Sequence, residues 1–112
     1  MPGEVVDLVV FSELRHNDTI EWDTGRSSYR FTLTDASLRK GLLVGGKVDQ
    51  PREAVFSGSL LEDRTLWANG IRIGARVTFL LSVPNNSSGF SQVVTSALQS
   101  LRLLKNGAPA AG

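Results

Sequence analysis

Apolar and polar residues alternate with a period of two along much of this chain, the pattern of strands with one buried face. Residues 26–34 show it most fully: Tyr29, Phe31 and Leu33 fall on one face, and Arg30, Thr32 and Thr34 on the other. In residues 18–23, Ile20 and Trp22 alternate with Thr19 and Glu21, and residues 76–83 set Val77, Phe79 and Leu81 against Thr78, Leu80 and Ser82. Residues 4–11 are rich in β-branched side chains and too short for a helix, and residues 53–57 predict a further short strand around Val55 and Phe56. Turn residues separate these runs, with Gly25 in the turn 23–26 and a Pro-Asn-Asn-Ser-Ser-Gly loop at 84–89. The first three strands therefore read as a meander. Asn69-Gly70 suits a two-residue hairpin loop between 66–68 and 71–73.

Two stretches are less regular. Residues 35–40 predict one helical turn capped by Asp35, and residues 47–52, with Pro51, predict a loop. Residues 93–104 place Val93, Val94, Ala97, Leu98, Leu101 and Leu104 at helical spacing, yet 97–104 also suits a closing strand. The strand agrees better with the rest of the chain.

Many short strands joined by glycine-rich turns predict an all-β fold, and closure into a small barrel would remove the exposed edges of such a sheet. The expected architecture is a five-stranded OB-like barrel with long loops, formed by residues 1–106 as one domain, with 107–112 a flexible tail. A length of 112 residues suits one domain, and 41% hydrophobic with 21% charged residues is ordinary for a soluble globular protein. Cysteine is absent, which excludes disulfides and thiolate chemistry. The opening residues lack a signal-peptide pattern, and no apolar run reaches the roughly 20 residues of a membrane helix. The expectation is a cytoplasmic protein of bacterial style with no membrane contact.

Catalytic chemistry finds little support in the residue pattern. The single histidine, His16, lies in a polar turn, and Glu21/Asp23 and Glu62/Asp63 read as solvated acidic pairs. Gly45-Gly46-Lys47 lacks the spacing of a phosphate loop. One histidine and scattered carboxylates are too few for a metal site. The chain is expected to be neither an enzyme nor a cofactor carrier, which leaves binding. A net charge of +1 is far below the basic footprint of a duplex-DNA binder, so any nucleic-acid binding would rest on stacking.

Ser28-Tyr29-Arg30-Phe31-Thr32 resembles the first RNA-binding strand of the cold-shock domain, and Val55-Phe56-Ser57-Gly58 resembles the start of that family's second motif. Residues 73–79 are similar to its later Gly-x-x-Val-x-Phe strand, residues 97–104 to its closing strand and residues 3–6 to its opening one. The resemblance implies a barrel that binds single-stranded RNA or DNA. Tyr29, Phe31 and Phe56 would stack on bases while Arg26, Arg30, Lys47 and Arg52 meet phosphates. The same rings on a strand equally suit half of a hydrophobic core. A second resemblance is to PilZ domains: Arg26 and Arg30 match their Arg-x-x-x-Arg element, and Asp35, Ser37 and Gly41 nearly match the Asp/Asn-x-Ser-x-x-Gly element. That resemblance implies cyclic di-GMP as ligand, since guanidinium groups bind phosphate with paired hydrogen bonds. A third reading is a protein-interaction module, with Trp22, Trp67 and Phe90 as core residues or interface anchors.

Overall fold

The alternating segments are strands, and the rings they carry on one face meet in a single core. The computed structural model describes residues 4–46, 48–82 and 90–105. Among these the elements are β1 (Glu4–Val5), β2 (Leu8–Val10), a 3-10 turn (Phe11–Glu13), β3 (Thr19–Asp23), β4 (Ser28–Asp35) and β5 (Lys40–Gly45). They continue with β6 (Val48–Leu60), β7 (Leu66–Trp67), β8 (Gly70–Arg72), β9 (Arg76–Ser82), β10 (Phe90–Val94) and β11 (Ser100–Leu104). The tail 107–112, the loop 84–89 and Lys47 lie outside the described residues.

One antiparallel sheet runs in the order β1-β11-β3-β4-β5-β6-β9-β10, with β7 paired to β6, and a separate two-stranded sheet joins β2 to β8. The centre is a meander from β3 to β6, in which Ile20 stands opposite Phe31 and Phe31 opposite Leu43. All three are fully buried. Side chains directly opposite on antiparallel strands point to the same face, so this row is a continuous stripe of core. Burying each such side chain stabilises the fold by about 1.5–3 kcal/mol.

The expected five-stranded barrel is corrected in two respects. The strands number more than five, and β1 and β10, the two ends of the sheet, are not bonded to one another. The sheet instead curls until its faces meet: Trp22 on β3 and Phe79 on β9 have ring centroids 5.9 Å apart, although β4, β5 and β6 lie between their strands. Residues 95–99 then cross between β9 and β3. Thr95 donates its N–H to Val77, Leu98 exchanges bonds with Gly74 and Ala75, and Gln99 donates to Asp23. Leu98 is buried in this crossing.

Local expectations divide in the same way. The closing segment is a strand, starting at Ser100. Residues 4–11 split into β1 and β2, because β1 pairs with β11 and β2 with β8, so the first strand is not part of the meander. Residues 36–39 form a turn and no helix, with Asp35 Oδ1 accepting from Ser37 and Leu38 N–H and from the Ser37 hydroxyl. Residues 48–52 join β6, since the register shift between Leu43 and Gly45 admits Pro51, which has no N–H to give to the ladder. Asn69-Gly70 does not close a hairpin: β7 pairs with β6 while β8 pairs with β2. Glycine is needed at position 70 because a Cβ there would sit 1.9 Å from the Val9 carbonyl oxygen.

Candidate binding groove on the outer sheet face

Pleating fixes which side chains of β3, β4 and β11 can meet a ligand. On β4 the inner set is Tyr29, Phe31 and Leu33, while Arg30 and Thr32 face outward, as the burial alternation shows. Phe31 is fully enclosed, its ring set against Phe79 at 4.9 Å and Phe11 at 6.2 Å. Phe56 is 2% exposed and stacks on Phe11 at 4.0 Å with an interplanar angle of 7°. Arg39 places its guanidinium 5.9 Å from the Phe56 ring and 6.0 Å from that of Phe11. These rings have no free face for a base, which corrects the expectation that Phe31 and Phe56 form a stacking platform.

Tyr29 is half-buried. One side of its ring stacks on Trp22, with centroids 5.5 Å apart and planes at 14°. Its hydroxyl lies over the β5–β6 turn, 2.5 Å from where a Cβ on Gly46 would stand. Trp22 is buried and its Nε1 has no hydrogen-bond partner among the described residues. Arg26 is exposed in the β3–β4 turn, where its backbone N–H donates to Thr24 Oγ1. Arg52 stands on β6 opposite Leu43, away from the other arginines in the register. The expected site therefore divides between the core, a turn and the outer face.

What the fold does assemble is a groove of about 580 Å³ across β1, β11, β3, β4 and β5. Its central row follows the strand register: Val5 opposes Arg102, Arg102 opposes Glu21, Glu21 opposes Arg30, and Arg30 opposes Val44. A second row sets Ser100 against Asp23 and Asp23 against Ser28. Trp22, Tyr29 and Leu101 lie between the two rows with their side chains on the inner face, so the groove floor there is main chain.

The groove is charged but balanced. Arg30 donates to Glu21 Oε2 through Nε at 2.8 Å and through Nη2 at 2.5 Å. Arg102 stands on the other side of Glu21 and has no ion pair among the described residues. Asp23 accepts from the Gly25 N–H and the Ser28 hydroxyl, and these bonds, in that order, hold its carboxyl below its ordinary pKa. Two cations and two anions thus line the groove between Val5 and Val44.

The sequence identified Arg30 as exposed but missed Arg102, Val5 and Val44. Their outward alternation was readable; their adjacency was not, because Arg102 and Glu21 are brought together only by pairing of distant strands. The Arg-x-x-x-Arg and Asp-x-Ser pattern falls on β4 and on the turns at either end of it. Arg30 is held by Glu21, and Asp35 and Ser37 build the β4–β5 turn. A Cβ on Gly41 would meet the Thr32 carbonyl oxygen at 2.2 Å. His16 Nδ1 lies 2.8 Å from the Thr34 carbonyl oxygen. Among the described residues, no three of His, Asp and Glu gather to hold a metal ion, and no helix is long and apolar enough to cross a membrane. Comparison with family models, with curated proteins and with solved structures gave no match.

Proposed function

We propose that the protein is an interaction module that receives an extended polypeptide segment in the outer groove of β1, β11, β3, β4 and β5. The observation that carries this reading is the ladder Arg102–Glu21–Arg30, a cation, an anion and a cation in one cross-strand row, ending on Val5 and Val44. A segment of mixed character matches it: an acidic side chain would pair with Arg102, a polar main chain would lie along the floor, and apolar side chains would cover the two valines. Interfaces of this kind combine apolar contact with a few fixed polar bonds.

Single-stranded nucleic acid, the ligand implied by the cold-shock resemblance, has less in its favour. A polyanion in this groove would meet Glu21 and Asp23, and two of the three rings of the stacking set are enclosed. Base stacking on an exposed ring is worth about 1–3 kcal/mol, and that contribution is closed to Phe31 and Phe56. Cyclic di-GMP would need Arg26 and Arg30 together, and its phosphates would then meet the Glu21 carboxylate that pairs with Arg30.

A peptide array probed with the labelled protein tests the proposal, with short oligonucleotides and cyclic di-GMP titrated in parallel. Peptides carrying an acidic residue flanked by apolar ones should bind, and Arg102→Glu should weaken them roughly tenfold or more. Saturable oligonucleotide binding that is lost in Arg26→Ala or Arg30→Ala, or peptide binding indifferent to Arg102→Glu, would overturn it.

A further inference from the structure

Among the described residues the sheet ends in two strands of unequal character. One is β1, two residues long and bearing Glu4. The other is β10, five residues in unbroken antiparallel register with β9, from Phe90 opposite Ser82 to Val94 opposite Thr78. Among the described residues no strand bonds to the far side of β10. Edge strands expose unpaired N–H and C=O groups, and proteins ordinarily guard them with charges, proline or bulges. β10 has none of these: its sequence, Phe-Ser-Gln-Val-Val, carries neither charge nor proline, and its pairing with β9 shows no register shift. The lack of charge extends well beyond the strand. Residues 77–101, 25 in succession, contain no Asp, Glu, Lys, Arg or His, in a chain that is 21% charged.

The outer face beside this edge is apolar as well. Val94 is 45% exposed and Leu80, opposite Gln92, is 38% exposed. Val93, on the inner face, packs against the core and anchors the strand. The edge is thus paired to β9 on one side, and among the described residues no strand pairs with the other.

We propose that β10 pairs antiparallel with β10 of a second copy of this chain, joining the two sheets into one across a two-fold axis. A two-fold interface must be self-complementary, because each residue meets a residue of the same strand. A charged edge fails that condition through like-charge opposition, whereas an uncharged one meets it. Pairing centred on Gln92 sets Gln92 against its own counterpart and Ser91 against Val93, so inner face meets inner face and outer meets outer. The strand ladder supplies main-chain hydrogen bonds, and Val94 of each copy brings its exposed apolar side chain to the outer face beside the axis. This contact is independent of the groove on the opposite end of the sheet.

Sedimentation equilibrium of the full chain, with a charge swap at position 92, decides the matter. The native chain should form dimers. Gln92→Lys and Gln92→Glu should each weaken self-association roughly tenfold or more, since like charges would face each other at the axis. An equimolar mixture of the two variants should recover dimers of mixed composition. Gln92 is exposed, so both variants should keep the native circular dichroism spectrum. Leu66→Lys, at an exposed apolar site on β7, should leave association unchanged. A chain that stays monomeric up to millimolar concentration would overturn the proposal. So would dimers that persist in Gln92→Lys, or a mixture that shows no preference for mixed pairs.

Discussion

The ring of Phe31 packs on that of Phe79 with centroids 4.9 Å apart and planes at 47°, although β5 and β6 separate their strands in the sheet. This contact requires the sheet to curl, and the curl encloses the ring that strand alternation alone leaves ambiguous. Phe31→Ala should therefore destabilise the protein by about 3–5 kcal/mol, as a lost core ring does. Urea denaturation followed by tryptophan fluorescence would measure it. A change near zero would mean that the ring faces water and that the stacking role deserves to be restored.

Glycine substitutions should separate close approach from backbone conformation. Gly41→Ala would push a methyl group to 2.2 Å from the Thr32 carbonyl oxygen, and Gly70→Ala to 1.9 Å from that of Val9. Each should cost at least the roughly 1–3 kcal/mol of an overpacked site. Gly74 has φ +87° and nothing within 4 Å of an added Cβ, so Gly74→Ala should cost only about 1–2 kcal/mol, the left-handed penalty. Melting temperatures should fall further for the first two variants than for the third.

The Arg30–Glu21 pair should contribute little to stability. Arg30 is 56% exposed at its side chain, and exposed pairs are screened by water. A double-mutant cycle with Arg30→Ala and Glu21→Ala should give a coupling below about 1 kcal/mol. If the groove is a binding site, the same variants should alter affinity far more than folding.

Acid should weaken the fold through its turns. Asp23 is held below its ordinary value of 3.8 by the Gly25 N–H and then the Ser28 hydroxyl. The Ser37 hydroxyl and the Leu38 N–H do the same for Asp35, and the Thr65 N–H and hydroxyl for Asp63. A carboxyl with a depressed folded pKa adds stability that is complete above its unfolded pKa and is lost as pH falls through the folded one. Stability should accordingly be level near neutrality and decline below about pH 4, the ordinary range of Asp. Asp35→Asn keeps an oxygen acceptor for the turn but cannot titrate, so its acid limb should be shallower in pH-dependent urea unfolding.

Asp18 and Lys105 pin the start of β3 to the residue that follows β11. Asp18 is 2% exposed, accepts from the Arg15 N–H at 2.9 Å and faces Lys105 Nζ at 3.5 Å. Asp18→Ala removes the acceptor as well as the ion pair and should cost about 1–3 kcal/mol through the orphaned donor. Lys105→Ala leaves the Arg15 bond in place, and because the lysine side chain is itself 48% exposed the loss should stay below that of Asp18→Ala. Equal effects in thermal unfolding would show that the lysine carries most of the interaction.

Strand alternation determined much of this protein in advance. The all-β class, the inner set Tyr29, Phe31 and Leu33, and the inner set Val77, Phe79 and Leu81 are local properties, because side chains must alternate along an extended chain. The turns at Gly25 and Asp35 are local for the same kind of reason, since their bonds span only a few residues. Which strands become neighbours is decided elsewhere. β11 pairs with β3, β2 finds β8 and takes the glycine of Asn69-Gly70 with it, and the Phe31 ring meets Phe79 only after the sheet has curled. Those choices depend on long-range burial of apolar surface, which has no signature in any short window of sequence. The groove and the uncharged edge follow from the same pairing: the sequence supplied Arg102, Glu21 and Gln92, and the tertiary fold decided what each would face.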